Sequence, residues 1–532
     1  MPGRQFEHGA ISRRSFLALS AGVVVAACDR SGRSPSRPPR STTTSLPPVP
    51  ALPSDPFTVG VASGDPAPDG FVLWTRLAPE PFTGGGMPAV EVPVRWMVAR
   101  DESMRHVVAD GTYVTGPEVA HSVHVVVRRL PPNRPYWYRF AVGDWATPIA
   151  RTRTFPRRDQ NVKKLRFGFG SCQSFRDGYY GAWRDLASDE DIDLVVFLGD
   201  YIYESGLRGD VRSHLVPEVI TLEQYRNQYA LYRSDPDLRA AHAAAPWLVT
   251  WDDHEVENNY QGVAPEAGST TPDPGQFLAR RAAAYRAWWE HMPTRLPPPT
   301  GPDLRIHRSV DFGRLARFAV LDTRQYRTDQ PCSPVDVGTL CPGALDPATT
   351  LLGGEQQSWL SDTLRDSGAR WNVLAQQIVF SRLAFTPPPN PIFNLDQWDG
   401  YPRSREAVLA LLREHRVRNP VVITGDIHAS GVSDLKADFD DPDSPVIGTE
   451  FVGNSITSGA SSALAAVLPS ALANNPHVKW GDVSRRGWVR CEVTPEAWRA
   501  DFRFVDDVRV QGSPVTTAKS WVIEDGRPVV EV

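Results

Sequence analysis

Asp193-Leu194-Val195-Val196-Phe197-Leu198-Gly199-Asp200-Tyr201-Ile202-Tyr203-Glu204 runs from an unbroken apolar segment straight into Gly-Asp. An apolar run of this length reads as a strand buried on both faces, the kind found in a parallel sheet. Because it stops at Gly199-Asp200, a carboxylate is delivered at the C-terminal end of a rigid element. That is the edge where open α/β sheets gather their ligands. Three residues later stands the phenol of Tyr203, an uncommon metal ligand.

Four other apolar runs end in the same way. Leu165-Arg166-Phe167-Gly168-Phe169-Gly170 leads into Ser171-Cys172-Gln173, and Trp247-Leu248-Val249-Thr250-Trp251 into Asp252-Asp253-His254-Glu255. Phe318-Ala319-Val320-Leu321 leads into Asp322-Thr323-Arg324, and Pro420-Val421-Val422-Ile423-Thr424 into Gly425-Asp426-Ile427-His428. One Asp after a strand is ordinary turn chemistry. Five strand ends carrying Asp, His or Cys, with helical patterns between them, point to a metal site assembled from several loops.

The series Gly199-Asp200-x-x-Tyr203, Asp253-His254-Glu255 and Gly425-Asp426-x-His428 resembles the calcineurin-like (purple acid phosphatase-like) metallophosphoesterases. With Cys172, Trp251-Asp252-Asp253-His254-Glu255, Asp396-x-Trp398-Asp399-Gly400-Tyr401 and Glu450-Phe451-Val452-Gly453, it resembles specifically the PhoD family of alkaline phosphatase/phosphodiesterases, over residues 57–504 or so. The resemblance implies an α/β (α+β) metallophosphoesterase fold, with layered β-sheets flanked by helices. It also implies hydrolysis of phosphomonoesters, phosphodiesters or both. An alternative within the family is a phospholipase D-like activity on phospholipid head groups. A non-catalytic surface-binding protein with a degenerate phosphatase domain is disfavoured, because no proposed ligand is missing.

Charge is nearly balanced, with 57 basic and 62 acidic residues giving −5 over 532 residues. A dedicated nucleic-acid-binding domain would usually be basic. Ser12-Arg13-Arg14-Ser15-Phe16-Leu17, followed by an apolar run over 17–27, reads as a twin-arginine signal. The twin-arginine translocase is thus an expected partner and the location extracytoplasmic. Val25-Ala26-Ala27-Cys28 resembles a lipoprotein processing box. Either Cys28 is lipidated and anchors the protein, or cleavage falls at a nearby small residue. Beyond the N-terminus no apolar segment is long enough to span a bilayer. Cys332 and Cys341 flank a Pro- and Gly-containing loop and suit a small disulfide outside the cytoplasm, or else are two free thiols. Cys491 reads as a buried strand residue.

The expected organisation is a signal over 1–28 and a Ser/Thr/Pro-rich tether over 29–56. An all-β sandwich of fibronectin or immunoglobulin type follows over 57–156, then a catalytic domain over 163–505. A C-terminal extension over 506–532 packs back on it. Helices are expected over 179–186, 221–232, 276–291, 354–366 and 404–414, alternating with strands as in an α/β domain.

The first proposed metal site combines the Cys172 thiolate, Asp200 carboxylate, Tyr203 phenolate and His428 imidazole. So much negative charge favours ferric iron (Fe3+) over zinc, and the resemblance implies the same. The second site shares Asp200 and adds Asp253 and Asp426, hard oxygen donors suited to Ca2+, Mg2+ or Mn2+; the resemblance implies calcium. Such a pair activates water and clamps both ends of an in-line displacement, with no protein nucleophile needed. His254 is a candidate proton donor to the leaving oxygen, a substrate-orienting group, or a support for the ligands. Arg324 is a candidate phosphate clamp, or else an ion-pair partner of Asp322 or another acid. Gln376 and Asn454 are further candidates for the site, and Glu204, Glu255, Asp322 and Asp399 are expected as supporting or rim groups.

Overall fold

A computed structural model describes residues 46–332 and 336–531. The twin-arginine segment, Cys28 and the first part of the expected tether lie outside the described residues.

Among the described residues the strands build two principal sheets. The first has ten strands, in the order Arg527–Glu531, Val515–Glu524, Ala497–Val505, Arg486–Val493, Leu165–Gly170, Leu194–Phe197, Trp247–Val249, Val61–Ala67, Gly70–Arg76 and Ser122–Val127. The second has seven, in the order Arg308–Phe312, Ala316–Val320, Trp371–Ala375, Pro420–Thr424, Val446–Val452, Ser430–Lys436 and Val478–Asp482. The central pairings of both are parallel.

The apolar run at 194–198 has a simple physical cause. Leu194, Val196 and Leu198 point into a core shared with Phe318, Val320, Val373, Val421 and Ile423 of the second sheet. Val195 and Phe197 point the other way, into a core with Trp183, Tyr229 and Trp288 from helices. Side chains alternate faces along a strand, so burial on both faces demands an apolar residue at every position. The second sheet behaves alike: Leu321, Leu374 and Val422 pack outward on Leu360 and Leu409 of its own helices. The result is four layers, helix–sheet–sheet–helix. Cys491 lies in the inter-sheet core, and Cys332 is disulfide-bonded to Cys341.

The helices expected around 179–186, 221–232, 276–291, 354–366 and 404–414 occur as Gly181–Ala187, Leu222–Arg233, Pro274–His291, Gly353–Arg365 and Pro402–Glu414. Thr221 closes a capping box with Gln224 at the start of one. Two helices, Pro236–Ala244 and Ser462–Asn474, were not expected.

Residues 57–156 do form facing β-layers around their own core of Phe71, Leu73, Val94, Val98, Tyr138 and Phe140. They are not a free-standing sandwich, however. Val61–Ala67 pairs in parallel with Trp247–Val249, so one layer continues the large sheet. Gly64 makes this contact feasible, because a Cβ there would meet the Trp247 carbonyl at 2.7 Å. The C-terminal residues extend the opposite end of the same sheet through Val515–Glu524 and Arg527–Glu531. The tether also ends before residue 56, since Leu52 already packs on the N-terminal core.

Candidate metal centre

The strand ends of both sheets converge. Leu165–Gly170 delivers Cys172, Leu194–Phe197 delivers Asp200, and Trp247–Val249 delivers Asp252, Asp253 and His254. From the second sheet, Pro420–Thr424 delivers Asp426 and His428. Cys172, Asp200, Asp426 and His428 all have left-handed backbone, with φ of 57°, 57°, 66° and 55°. Non-glycine residues held there cost about 1–3 kcal/mol each and cluster at functional sites.

Gly199 is required between strand and ligand. Its φ is +116°, and a Cβ there would lie 2.5 Å from Asp252 Cβ and 2.6 Å from Asp252 N. Gly199→Ala is therefore expected to cost about 1–3 kcal/mol through backbone strain alone, with the steric clash added. Thermal unfolding of the variant, together with its metal content, checks this; an unchanged Tm would contradict it.

Donor atoms of Cys172, Asp200 and His428 lie within 4.8 Å of one another, as do those of Asp200, Asp253 and His254, and those of Asp252, Asp253 and Asp426. Tyr203 Oη donates to Asp200 Oδ2 at 3.0 Å and lies 3.0 Å from His428 Nε2. His428 Nδ1 sits 2.8 Å from the Gly459 carbonyl. That contact fixes the proton on Nδ1 and leaves the Nε2 lone pair for a ligand. Ser458 Oγ reaches both the Cys172 carbonyl and the Tyr203 hydroxyl at 2.8 Å. Asp200 Oδ1 is buried and accepts no hydrogen bond among the described residues, and Asp253 Oδ1, likewise without a hydrogen bond, has the Arg324 guanidinium at 3.5 Å. Buried carboxylate oxygens without partners are costly, and a cation is what such a site fits.

Electrostatics point the same way. Burial, and then the neighbouring Asp200, push the Cys172 thiol well up. Burial, Asp200 and Cys172 do the same to the Tyr203 phenol. Burial pushes Asp200 well up, with Asp253, Asp252 and Glu255 adding to it against the opposing pull of His254. Groups that resist ionisation by mutual repulsion become anionic together only when a cation joins them. His254 responds in the opposite sense. Burial pulls it down, but Glu204, Asp200 and Asp253 outweigh that and hold it well above its ordinary value.

The supports are specific. Glu255 accepts from the backbone N–H groups of Asp200 (3.0 Å), Tyr201 (2.6 Å) and Asp252 (2.8 Å), locking two ligand loops together. Glu204 Oε2 lies 2.7 Å from His254 Nδ1. Gln397 Nε2 donates to Asp426 Oδ2 at 2.7 Å. Glu450 accepts from the N–H groups of Phe380 and Ser381, both at 2.8 Å.

These features bear on the motifs matched in other proteins. A model of the PhoD-like phosphatase family matches residues 167–502, and one of the PhoD-like phosphatase N-terminal domain matches 43–156. The chain belongs to the PhoD-like phosphatase family. It is 48% identical over 486 residues to alkaline phosphatase D of Bacillus subtilis (strain 168), covering 90% of this chain and 82% of that protein. It superimposes on a solved PhoD structure with a TM-score of 0.87 at 47% identity, covering 91% of this chain and 93% of the other. The protein is thus a PhoD-type phosphatase, with an α/β fold of mixed sheets and helices.

In this PhoD-like phosphatase Cys172, Asp200, Tyr203, Asp253, His254, Asp426 and His428 are brought together. Arg324 is not where a phosphate clamp belongs. It is wholly buried and its Nε donates to Asp252. Nη1 chelates Asp396 at 2.9 and 2.8 Å, and Nη2 reaches Asp426 at 3.1 Å. Nη2 also lies 3.5 Å from Asp253 Oδ1, so its side chain pairs with four carboxylates, none of them Asp322, and its work is to position them. Gln376 also lies off the site, since it donates to the Ile378 carbonyl and Thr424 and accepts from Trp398 Nε1. Asn454 bridges the Asp482 carbonyl and Ser455 N, a loop-holding role. Asp252 and Asp396 stand in motifs read from the sequence without a role given to them, and Gln397 and Ser458 were missed. For the first two, adjacency to Asp253 and to the Trp398-Asp399 motif was the available signal; Gln397 and Ser458 carried none.

Proposed function

We propose that this PhoD-like phosphatase is an exported, metal-dependent phosphoesterase acting on phosphomonoesters, phosphodiesters or both at an Fe3+/Ca2+ centre, with Mg2+ or Mn2+ as alternatives to calcium. The observation that carries this is three linked donor sets: Asp200 joins the Cys172/His428 set to the Asp253/His254 set, and Asp253 joins that in turn to Asp252 and Asp426, while the buried Asp200 Oδ1 has no hydrogen-bond partner among the described residues. Cys172, Asp200, Tyr203 and His428 would hold ferric iron, because thiolate and phenolate match a highly charged ion. Asp200, Asp253 and Asp426 would hold the hard divalent cation. When bound, such a pair supplies Lewis acidity, an activated water and a clamp on phosphoryl oxygens.

The chain's own residues do the remainder. Glu204 holds His254 through Nδ1, so the other ring nitrogen is left to carry a proton to the leaving oxygen at the cavity wall. Arg324, which does not line the cavity, ties Asp252, Asp253, Asp396 and Asp426 together. Glu255 fixes the spacing of the Asp200 and Asp252 loops.

A phosphodiester-turnover assay with and without a calcium-selective chelator tests the reading. Activity should fall at least tenfold, return on adding calcium, and leave iron in place. An active protein that contains zinc alone and ignores the chelator would refute the metal assignment. Tyr203→Phe should shift or remove a visible charge-transfer band and weaken iron retention; an unchanged spectrum would place iron elsewhere.

Export follows from Arg13 and Arg14. Changing both to Lys should leave the enzyme in the cytoplasm, and normal export of that variant would overturn the twin-arginine reading. For Cys28, mass spectrometry of the mature N-terminus separates a lipid anchor from cleavage at a nearby small residue.

A further inference from the structure

The cavity above the donor sets, of roughly 380 Å³, is lined by both metal-donor and apolar side chains. The donors are Asp200, Asp253, His254, Asp426 and His428. The remaining lining includes apolar side chains from two segments, Val379, Leu383 and Phe385 from one and Leu464 and Val467 from the other. Among the described residues the lining holds six aspartates and no lysine or arginine. Arg324 does not line the cavity and is engaged by four carboxylates, Asp252, Asp253, Asp396 and Asp426.

The apolar lining is constructed rather than incidental. Leu464 and Val467 lie on one face of the helix Ser462–Asn474, which contains no charged residue and begins with Ser461 capping Leu464 N at 3.1 Å. Leu468 and Leu472, on the adjoining face, pack toward Gly481 instead. Asn475 at the end of the helix accepts from Ala384 N (3.1 Å) and donates to Ala384 O (2.8 Å), while Asn474 donates to Phe385 O at 3.2 Å. The two segments are thereby tied into one wall. The turn leading into the helix also carries Gly459, whose carbonyl orients His428, so the wall is in register with the metal donors.

We infer that this wall is a specificity subsite for the organic substituent of the phosphate ester, and that it selects an uncharged apolar group over an anionic one. The inference rests on the phosphoesterase reading. The phosphoryl group faces the donor sets, and the substituent loses water against Phe385, Leu464 and Val467. An anionic substituent laid against these apolar side chains loses water and finds no donor among them to replace it, so burying it there is unfavourable. Each methylene buried strengthens binding by about three- to fourfold.

The test is competitive inhibition of phosphodiester turnover by n-alkylphosphonates from methyl to hexyl, which are non-hydrolysable and carry one substituent. The inhibition constant should fall at least tenfold from methyl- to butylphosphonate. 3-Phosphonopropionate should bind at least tenfold more weakly than propylphosphonate. Leu464→Gln and Val467→Gln should each flatten the chain-length series, whereas Ala465→Gln, elsewhere on the helix, should not. A series independent of chain length in the wild-type enzyme, or equal binding of the charged and uncharged inhibitors, would overturn the subsite while leaving the phosphoesterase reading intact. Absence of any turnover by metal-loaded enzyme would overturn that reading and the subsite with it.

Discussion

Asp200→Asn is expected to lower phosphodiester turnover by roughly three orders of magnitude or more and to deplete both metals at once. Asp200 is the residue common to two donor sets. One of its oxygens is buried without a partner and the other accepts from Tyr203. An amide keeps the shape but supplies less charge, and its NH2 group cannot ligate. Metal content and kcat measured on one preparation check this. Loss of one metal with the other retained would show that the sets do not share Asp200.

His254→Asn should reduce kcat by about 10²–10⁴ with metal content unchanged. The loss should be larger for an alkyl than for a nitrophenyl leaving group, because a poor leaving group needs the proton more. The ring is held from two sides, by Glu204 Oε2 at 2.7 Å and by the Tyr203 ring, 4.2 Å between centroids. Glu204→Gln should give a smaller loss of about 10–100-fold, since it removes the orienting charge and keeps the imidazole. Equal losses for both leaving groups in His254→Asn would assign the residue to substrate orientation rather than proton transfer.

Much of this architecture was legible in the sequence because burial on both faces writes itself as an unbroken apolar run, as at 194–198. The donors were legible because each follows such a run directly. What was not legible depends on long-range geometry. Nothing local distinguishes Arg324 as a phosphate ligand from Arg324 as an ion-pair partner. That depends on where Asp252, Asp396 and Asp426 arrive from three different loops. The left-handed backbone at Cys172 and His428 leaves no mark in composition, because the surrounding contacts enforce it. The continuity of the N-terminal layer with the large sheet rests on a single parallel contact, Gly64 against Trp247, far apart in the chain. The helix Pro236–Ala244 did carry a signal, Asp235-Pro236 as cap and first residue. Ser462–Asn474 was masked by Pro469 in its interior, which argues against helix when read locally.

The most direct test of the two-cation centre is anomalous diffraction from crystals of protein folded and exported by its native host, recorded above and below the iron absorption edge. The account predicts an iron signal among Cys172, Asp200, Tyr203 and His428 that disappears below the edge, and a second ion without that edge bound by Asp200, Asp253 and Asp426. Active protein whose crystals show no ion at these residues, or iron bound elsewhere, would contradict it.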